Sequence, residues 1–181
     1  MIDRDSTHSA SAIVIRPEGS GDSEGIRNVL VAAFGGKAEA DLVQALRHNG
    51  ALAISLVAWA ASEIVGHVGF SPMHYEGQPD REDVLGLAPV AVHPQWQRRG
   101  VGSALIARGL EECDRRKCIA LFVLGAPGFY GRFGFILART CHLRCVFDAP
   151  LDAFQMLSFS ETFIRPLTGL ICYRPEFDSF S

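Results

Sequence analysis

One α/β domain with a mixed sheet is what this chain predicts, and three features carry that expectation. Strand-like apolar runs alternate with segments of helical periodicity. A buried strand at residues 85–92 turns through glycines into an amphipathic helix, and an apolar strand follows at 119–124. Two such strands are parallel neighbours joined by a right-handed crossover. The length, 181 residues and 19.7 kDa, suits a single sizeable core.

The elements follow in order. Residues 1–12 are polar and small and are expected to form a flexible N-terminus, with the domain running over 13–181. Residues 13–17 read as a short first strand. Asp22 or Ser23 can cap a helix whose Ile26, Val29, Leu30 and Phe34 share one face, and Gly35-Gly36 ends it. A second amphipathic helix carries Ala40, Leu42, Val43 and Leu46 and stops at Asn49-Gly50. Strands follow at 53–59 and 64–73 with a turn at 60–63, and the polar run 75–83 reads as a loop or hairpin. The strand at 85–92 is stopped by His93-Pro94. Past the crossover helix and its partner strand, extended segments are expected at 143–147, 154–159 and 170–173.

Pro89 stands in the middle of an apparently central strand. A proline there removes a ladder donor, so either pairing is interrupted midway or the strand is an edge.

Between that strand and the helix lies Gln97-Arg98-Arg99-Gly100-Val101-Gly102. The start of a helix leaves backbone N–H groups unpaired, and its dipole adds about half a positive charge there. Gly100 and Gly102 lack Cβ atoms and admit a phosphate close to the backbone, while Arg98 and Arg99 can reach further oxygens. The geometry suits a pyrophosphate; it also suits an ordinary strand–helix turn. No Lys follows Gly102, so the Walker pattern fails. Ala104-Leu105 stand where a dinucleotide fingerprint needs its third glycine. Along the helix, Leu105, Ile106, Leu110 and Cys113 line one face. Glu111 with Arg115 and Glu112 with Arg116 are expected as i,i+4 pairs.

Composition excludes several classes. A formal net charge of −3 offers no general attraction to nucleic acid or to an anionic membrane. The longest apolar run, 51–61, is far short of the ~20 residues that cross a bilayer, and no signal peptide is visible. Five cysteines without a Cys-x-x-Cys pair argue against a metal site, including at Cys141-His142-Leu143-Arg144-Cys145, and suit reduced thiols in a cytoplasmic protein.

Gln97, Gly100 and Gly102 match the Gln/Arg-x-x-Gly-x-Gly/Ala signature of the GNAT superfamily of acetyl-coenzyme A-dependent acyltransferases. The downstream segment 121–135, with Tyr130 on a short helix and then Phe133-Gly134-Phe135, also resembles that family. The resemblance implies a mixed, mostly antiparallel sheet flanked by helices, with a splayed parallel strand pair into which pantetheine slides at Pro89. It implies that acetyl-coenzyme A rests its pyrophosphate on Gln97, Arg98, Arg99, Gly100, Val101, Gly102 and Ser103. It places pantetheine and the acetyl carbonyl along Val90, Ala91 and Val92. A homodimer is one of the states open to the family.

Acyl transfer to an amine needs a donor for the carbonyl oxygen as it becomes anionic, an acid for the departing thiolate and an exit for the amine proton. By resemblance Tyr130 is the acid; a phenol of pKa about 10 can protonate a thiolate within reach. Tyr130 also reads as an aromatic packed beside Phe129 and Phe133. Many relatives carry a glutamate at the start of the strand, where this chain has Leu85-Gly86-Leu87. The base is then Glu82, Asp83, His74 or a water, and an amine of pKa about 8 needs little help. By resemblance the acceptor site is built by the first two helices, the 75–83 loop and the C-terminal strands. Glu76, Asp80, Glu82 and Asp83 in that loop would draw a cationic amine, or are simply solvated. The leading expectation is an N-acetyltransferase acting on a primary amine of a small molecule or protein, without metal, membrane or nucleic acid. A noncatalytic acyl-coenzyme A-binding sensor or partner module is the alternative.

Overall fold

The computed structural model describes residues 12–76, 81–160 and 169–180; the expected flexible terminus lies, apart from Ala12, outside them. The chain forms β1 (Val14–Pro17), α1 (Ser23–Phe34), α2 (Ala38–His48), β2 (Ile54–Ala60), β3 (Glu63–Tyr75) and β4 (Arg81–Val92). It continues with α3 (Val101–Arg115), β5 (Ala120–Leu124), α4 (Pro127–Tyr130) and β6 (Ile136–Leu137). The described part ends with β7 (Leu143–Cys145), β8 (Phe154–Ser158) and β9 (Gly169–Cys172), then a 3₁₀ turn over Pro175–Phe180.

The main sheet runs β1-β2-β3-β4-β5-β8-β6; β9 joins the far end of β3 and pairs with β7. All neighbours in the main path are antiparallel except β4 and β5, which run parallel across the α3 crossover. The mixed, mostly antiparallel sheet is therefore present.

Two layers of side chains hold the helices to the sheet. On one face α3 buries Val101, Leu105, Ile106 and Cys113 against Leu56, Ala58, Val68, Phe70, Leu85 and Leu87. On the other, α1 places Ile26, Val29 and Leu30 over Val57 and Ala91. There α2 sets Leu42 and Leu46 with the C-terminal Ile171, Tyr173 and Phe177 over Val84, Ala120 and Phe122. Each fully buried Leu or Phe stabilises the fold by roughly 1.5–3 kcal/mol relative to exposure.

Pro89 interrupts the sheet on both sides. Val68 pairs with Val90 and Phe70 with Leu87, so Gly69 faces two residues, Ala88 and Pro89, in a bulge. On the other flank, pairing with β5 ends at Gly86 opposite Phe122. From Leu87 to Val92 the β5 side of β4 is open, so the strand is no edge and the parallel pair splays.

Several local expectations change. The strand β4 begins at Arg81, so Glu82 and Asp83 belong to a strand; residues 77–80 of the expected loop lie outside the described residues. Arg81 and Asp83 share a strand face and pair at 2.7 Å, and Ile119 N–H donates to the Asp83 carbonyl at 2.7 Å, which draws this segment into the sheet. Asp22 precedes α1, yet its carboxylate does not cap the helix: it accepts from Gly19 N–H at 2.7 Å and from the Arg16 guanidinium at 2.9 Å. Glu112 turns inward, buried on the same face as Leu105 and Gly109. It therefore pairs with Arg108 at 2.8 Å and with Arg115 rather than with Arg116, and Glu111 pairs with Arg108 instead of Arg115.

A polar chain is buried between α2 and the sheet. His67 is fully buried, with Nε2 3.0 Å from Ser55 Oγ; Ser55 donates to Glu18, which also accepts from Arg47 Nε at 2.8 Å. Burial, and secondarily the charge of Arg47, push the imidazole down to about 3. The unfolded chain takes up that proton near pH 6.5. With the folded value below the unfolded one, the contribution is complete above pH 6.5 and is lost as pH falls toward 3, by about 1.4 kcal/mol per unit. Urea unfolding at pH 7 and pH 5 is expected to differ by about 2 kcal/mol more in the native chain than in His67→Gln.

Candidate functional site

The open flank of β4 faces a cavity of about 460 Å³. Its walls are the strand residues Val90 and Val92, the turn residues Trp96, Gln97, Arg98 and Gly100, the start of α3 at Val101, Gly102 and Ser103, and Phe129 and Arg132. Eight of the ten residues expected to hold the cofactor thus meet in one place.

The strand supplies backbone. His93 N–H donates to Val65 C=O at 2.9 Å, so β4 directs that group at β3. The antiparallel ladder alternates with period two, which sends the main-chain groups of Ala91 to β3 as well and those of Val90 and Val92 into the opening. Val92 C=O accepts from Gln97 Nε2 at 3.1 Å, which ties the turn to the strand end. Ala91 does not reach the cavity: its side chain is buried beneath α1. Side chains of adjacent strand residues point to opposite faces, so Val90 and Val92 border the opening while Ala91 faces the other layer.

The turn supplies unpaired amides. Ala104 N–H closes the first helical bond onto Gly100 C=O at 2.9 Å, leaving the amides of Val101, Gly102 and Ser103 without an intrahelical acceptor. Gly100 has φ of 84°, and a Cβ there would meet nothing within 4 Å, so its backbone is open to the cavity. Arg98 holds φ of 59°, a left-handed conformation that costs a non-glycine residue roughly 1 kcal/mol or more. Arg99 lies over the Trp96 ring, 5.3 Å from its centroid, and does not line the cavity. The lining holds two guanidiniums, Arg98 and Arg132, and no carboxylate. Unpaired amides, a helix N-terminus and two arginines make a set of donors suited to a polyphosphate.

Arg132, Trp96 and Phe129 escaped sequence reasoning. Arg132 sits over the Phe129 ring at 4.7 Å and donates to the Phe129 carbonyl at 3.2 Å. Its signal was the arginine inside Gly131-Arg132-Phe133, one turn past Phe129.

Tyr130 closes α4 next to the cavity residue Phe129 without itself joining the lining, edge-on to Phe129 and Phe135 with centroids 5.0 and 5.7 Å apart. A Cβ on Gly125 would come 2.3 Å from the Tyr130 ring, so only glycine there lets the ring lie on the end of β5. Burial raises the phenol above its ordinary pKa, which keeps it protonated and able to donate.

None of the three candidate bases borders the cavity. Glu82 is exposed to solvent, and the Arg81 guanidinium beside Asp83 holds its carboxyl below the usual carboxylate range. Cys141, His142 and Cys145 do not assemble into a ligand set: among the described residues no group of three or more His, Cys, Asp and Glu could hold a metal ion. No helix among them is long and apolar enough to cross a membrane.

A second cavity, of about 340 Å³, reaches the same split from the opposite face of the sheet, where Ala88, Pro89 and Leu124 form its floor. Its acidic side chains are Glu39 and Asp148, not those of the 75–83 segment.

Residues 14–138 match the family model described as an acetyltransferase (GNAT) domain. The chain is 35% identical over 171 residues to the protein named uncharacterized N-acetyltransferase YhbS of Escherichia coli (strain K12), covering 93% of this chain and all of that protein. The crystal structure of Escherichia coli YhbS in complex with CoA superposes with a TM-score of 0.89, covering 97% of each chain. A GNAT family acetyltransferase from Brucella melitensis in complex with acetyl-CoA, 32% identical, gives 0.77 over 92% of this chain and 99% of that one.

Proposed function

Because the chain belongs to the GNAT acetyltransferase family, we propose that it moves the acetyl group of acetyl-coenzyme A to a primary amine by direct attack in a ternary complex. The observation that carries this reading is the split between β4 and β5, reached by a cationic cavity on one face and by a separate cavity on the other. A pure acyl-coenzyme A sensor would use the first cavity and has no need of the second.

The activated acetyl thioester supplies the carbon chemistry when bound. The amides of Val101, Gly102 and Ser103 take the pyrophosphate, with Arg98 and Arg132 neutralising its outer oxygens and Gly100 leaving room for them. The main-chain groups of Val90 and Val92 that face the opening pair with the pantetheine amides as a sheet neighbour would. An N–H in that row stabilises the carbonyl oxygen as charge develops, an effect worth about 10²–10³ in rate for one well-placed donor. Tyr130, protonated and held by its aromatic neighbours, gives its proton to the thiolate as the C–S bond breaks. The ammonium gives up its proton to water, since Glu82, Asp83 and His74 border neither cavity. Residues 13–181 form the acetyltransferase domain, and a cytoplasmic setting, where acetyl-coenzyme A and reduced thiols coexist, fits the reading.

Tyr130→Phe keeps the ring and removes the proton; kcat should fall about 10²-fold while coenzyme A affinity stays within about threefold. A large loss of affinity at normal kcat would contradict the assigned role. A Cβ on Gly102 would make only an ordinary 3.5 Å contact with Val92, so the fold accepts alanine there. Gly102→Val brings branched bulk over the amides and should weaken coenzyme A binding at least about tenfold in calorimetry, with Gly102→Ala close to the native value. Unaltered binding by Gly102→Val would mean that the phosphates lie elsewhere.

A further inference from the structure

The two cavities carry opposite electrostatics. The cavity under α3 holds two guanidiniums and no carboxylate, whereas the cavity under α2 holds two carboxylates, Glu39 and Asp148, and no Lys, Arg or His. Neither acid has an ion-pair partner among the described residues. The rest of the second cavity is apolar, with Phe34 and Phe147 toward its mouth and Leu42 and Phe177 deeper.

One polar residue of the lining is almost wholly buried. Tyr173 lines the cavity and is only 6% exposed, and its hydroxyl has no hydrogen-bond partner. Its ring is fixed by stacking on Phe147 at 5.3 Å and by Phe177 at 5.0 Å. It also lies against Gly86, where a Cβ would come within 3.1 Å of Tyr173 Cε1. Gly86 is the last β4 residue paired with β5. The orphaned hydroxyl is therefore held beside the start of the split. An unpaired buried hydroxyl is destabilising, a cost that a bound polar group removes. Burial raises the phenol well above its ordinary pKa, so it stays neutral and can both donate and accept.

Resting on the acetyltransferase reading above, we propose that the acceptor is a small primary amine with an apolar, aromatic or branched carbon body and no carboxylate of its own. Glu39 and Asp148 draw the ammonium to the mouth, the aromatic wall receives its body, and Tyr173 Oη hydrogen-bonds the amine nitrogen beside the split. Attack by the neutral nitrogen forms the C–N bond and breaks the C–S bond; the thiolate takes the Tyr130 proton, and the proton that the nitrogen sheds in becoming an amide passes through water to restore the Tyr130 phenol. The apolar interior assists, because desolvation disfavours the charged amine. A body of limited size is required: small-molecule sites span about 300–1,000 Å³, and this one lies at the lower end. A carboxylate next to the amine, as in an amino acid, would meet two like charges at the mouth.

The test uses the intact protein with saturating acetyl-coenzyme A and four acceptors: 2-phenylethylamine, phenylalanine, ethanolamine and a lysine-containing peptide. Phenylethylamine should exceed each of the others in kcat/KM by at least about tenfold, the scale of one misplaced charge or one lost apolar contact surface. Glu39→Gln with Asp148→Asn should raise its KM about three- to tenfold with kcat within about twofold. Equal or better turnover of phenylalanine, ethanolamine or the peptide would overturn the assignment, as would an unchanged KM in the double variant. Calorimetry of phenylethylamine on the coenzyme A-loaded protein separates this claim from its premise. Binding that Tyr173→Phe and the double variant both weaken, with no turnover of any amine, would sink the transferase reading and leave the cavity assignment standing. Absence of binding would sink the cavity assignment itself.

Discussion

The opening between β4 and β5 is the constraint on which the rest of the molecule depends. Two parallel strands inside a sheet would ordinarily pair along their whole length, because each unpaired main-chain group buried without a partner is costly. Here pairing stops after Gly86–Phe122 and a bulge at Ala88-Pro89 disturbs the other flank of the same strand. The remaining length of β4 keeps its ladder with β3 while its opposite edge stays open. The sheet thereby contains a slot with a strand's hydrogen-bonding pattern on one wall, and both cavities lead to it.

What flanks the slot follows from the two helical layers. The crossover helix α3 must begin where β4 ends, so its unpaired amides fall at one end of the slot without further design. On the other face, α2 and the C-terminal aromatics cover the start of the slot, and Tyr173 approaches the sheet through the space that Gly86 leaves. A cationic cavity and an acidic one therefore open on opposite faces of the sheet, separated by its thickness. In the proposed reaction that separation would keep an anionic cofactor and a cationic acceptor from competing for one another's groups.

Much of this was legible in the sequence, and the reasons differ by residue. The strand–glycine–helix transition is local in sequence, so Gly100, Val101, Gly102 and Ser103 could be placed without coordinates; Pro89 likewise announced a break through the donor that it lacks. Ala91 stands in one run with Val90 and Val92, yet alternation turns its side chain beneath α1, which consecutive numbering does not reveal. Glu112 was misread because helical position, not charge, decides burial: it falls on the face of Leu105 and Gly109, and two arginines reach over to it. The second cavity was beyond sequence reasoning. Its acids come from α2 and from the segment after β7, and its aromatics from three distant parts of the chain, so no spacing rule links them. The acidic 75–83 run drew attention by its density, yet Asp83 is already committed to Arg81.

The way α2 is fastened has a consequence for entry. Its C-terminal end is clamped twice, by Arg47 on Glu18 and by Asn49 on Glu176 at 2.9 Å. Its first turn, which carries Glu39, is joined to α1 by the short Gly35-Gly36-Lys37 link, by Asp41 on Arg27 at 2.8 Å, and by Ala40 in the buried cluster of Ile26, Val29 and Leu30. The helix is therefore fastened at both ends. With its helical wall pinned in this way, the acidic vestibule adjusts to a bulkier guest through the exposed Phe34 side chain rather than through a shift of α2.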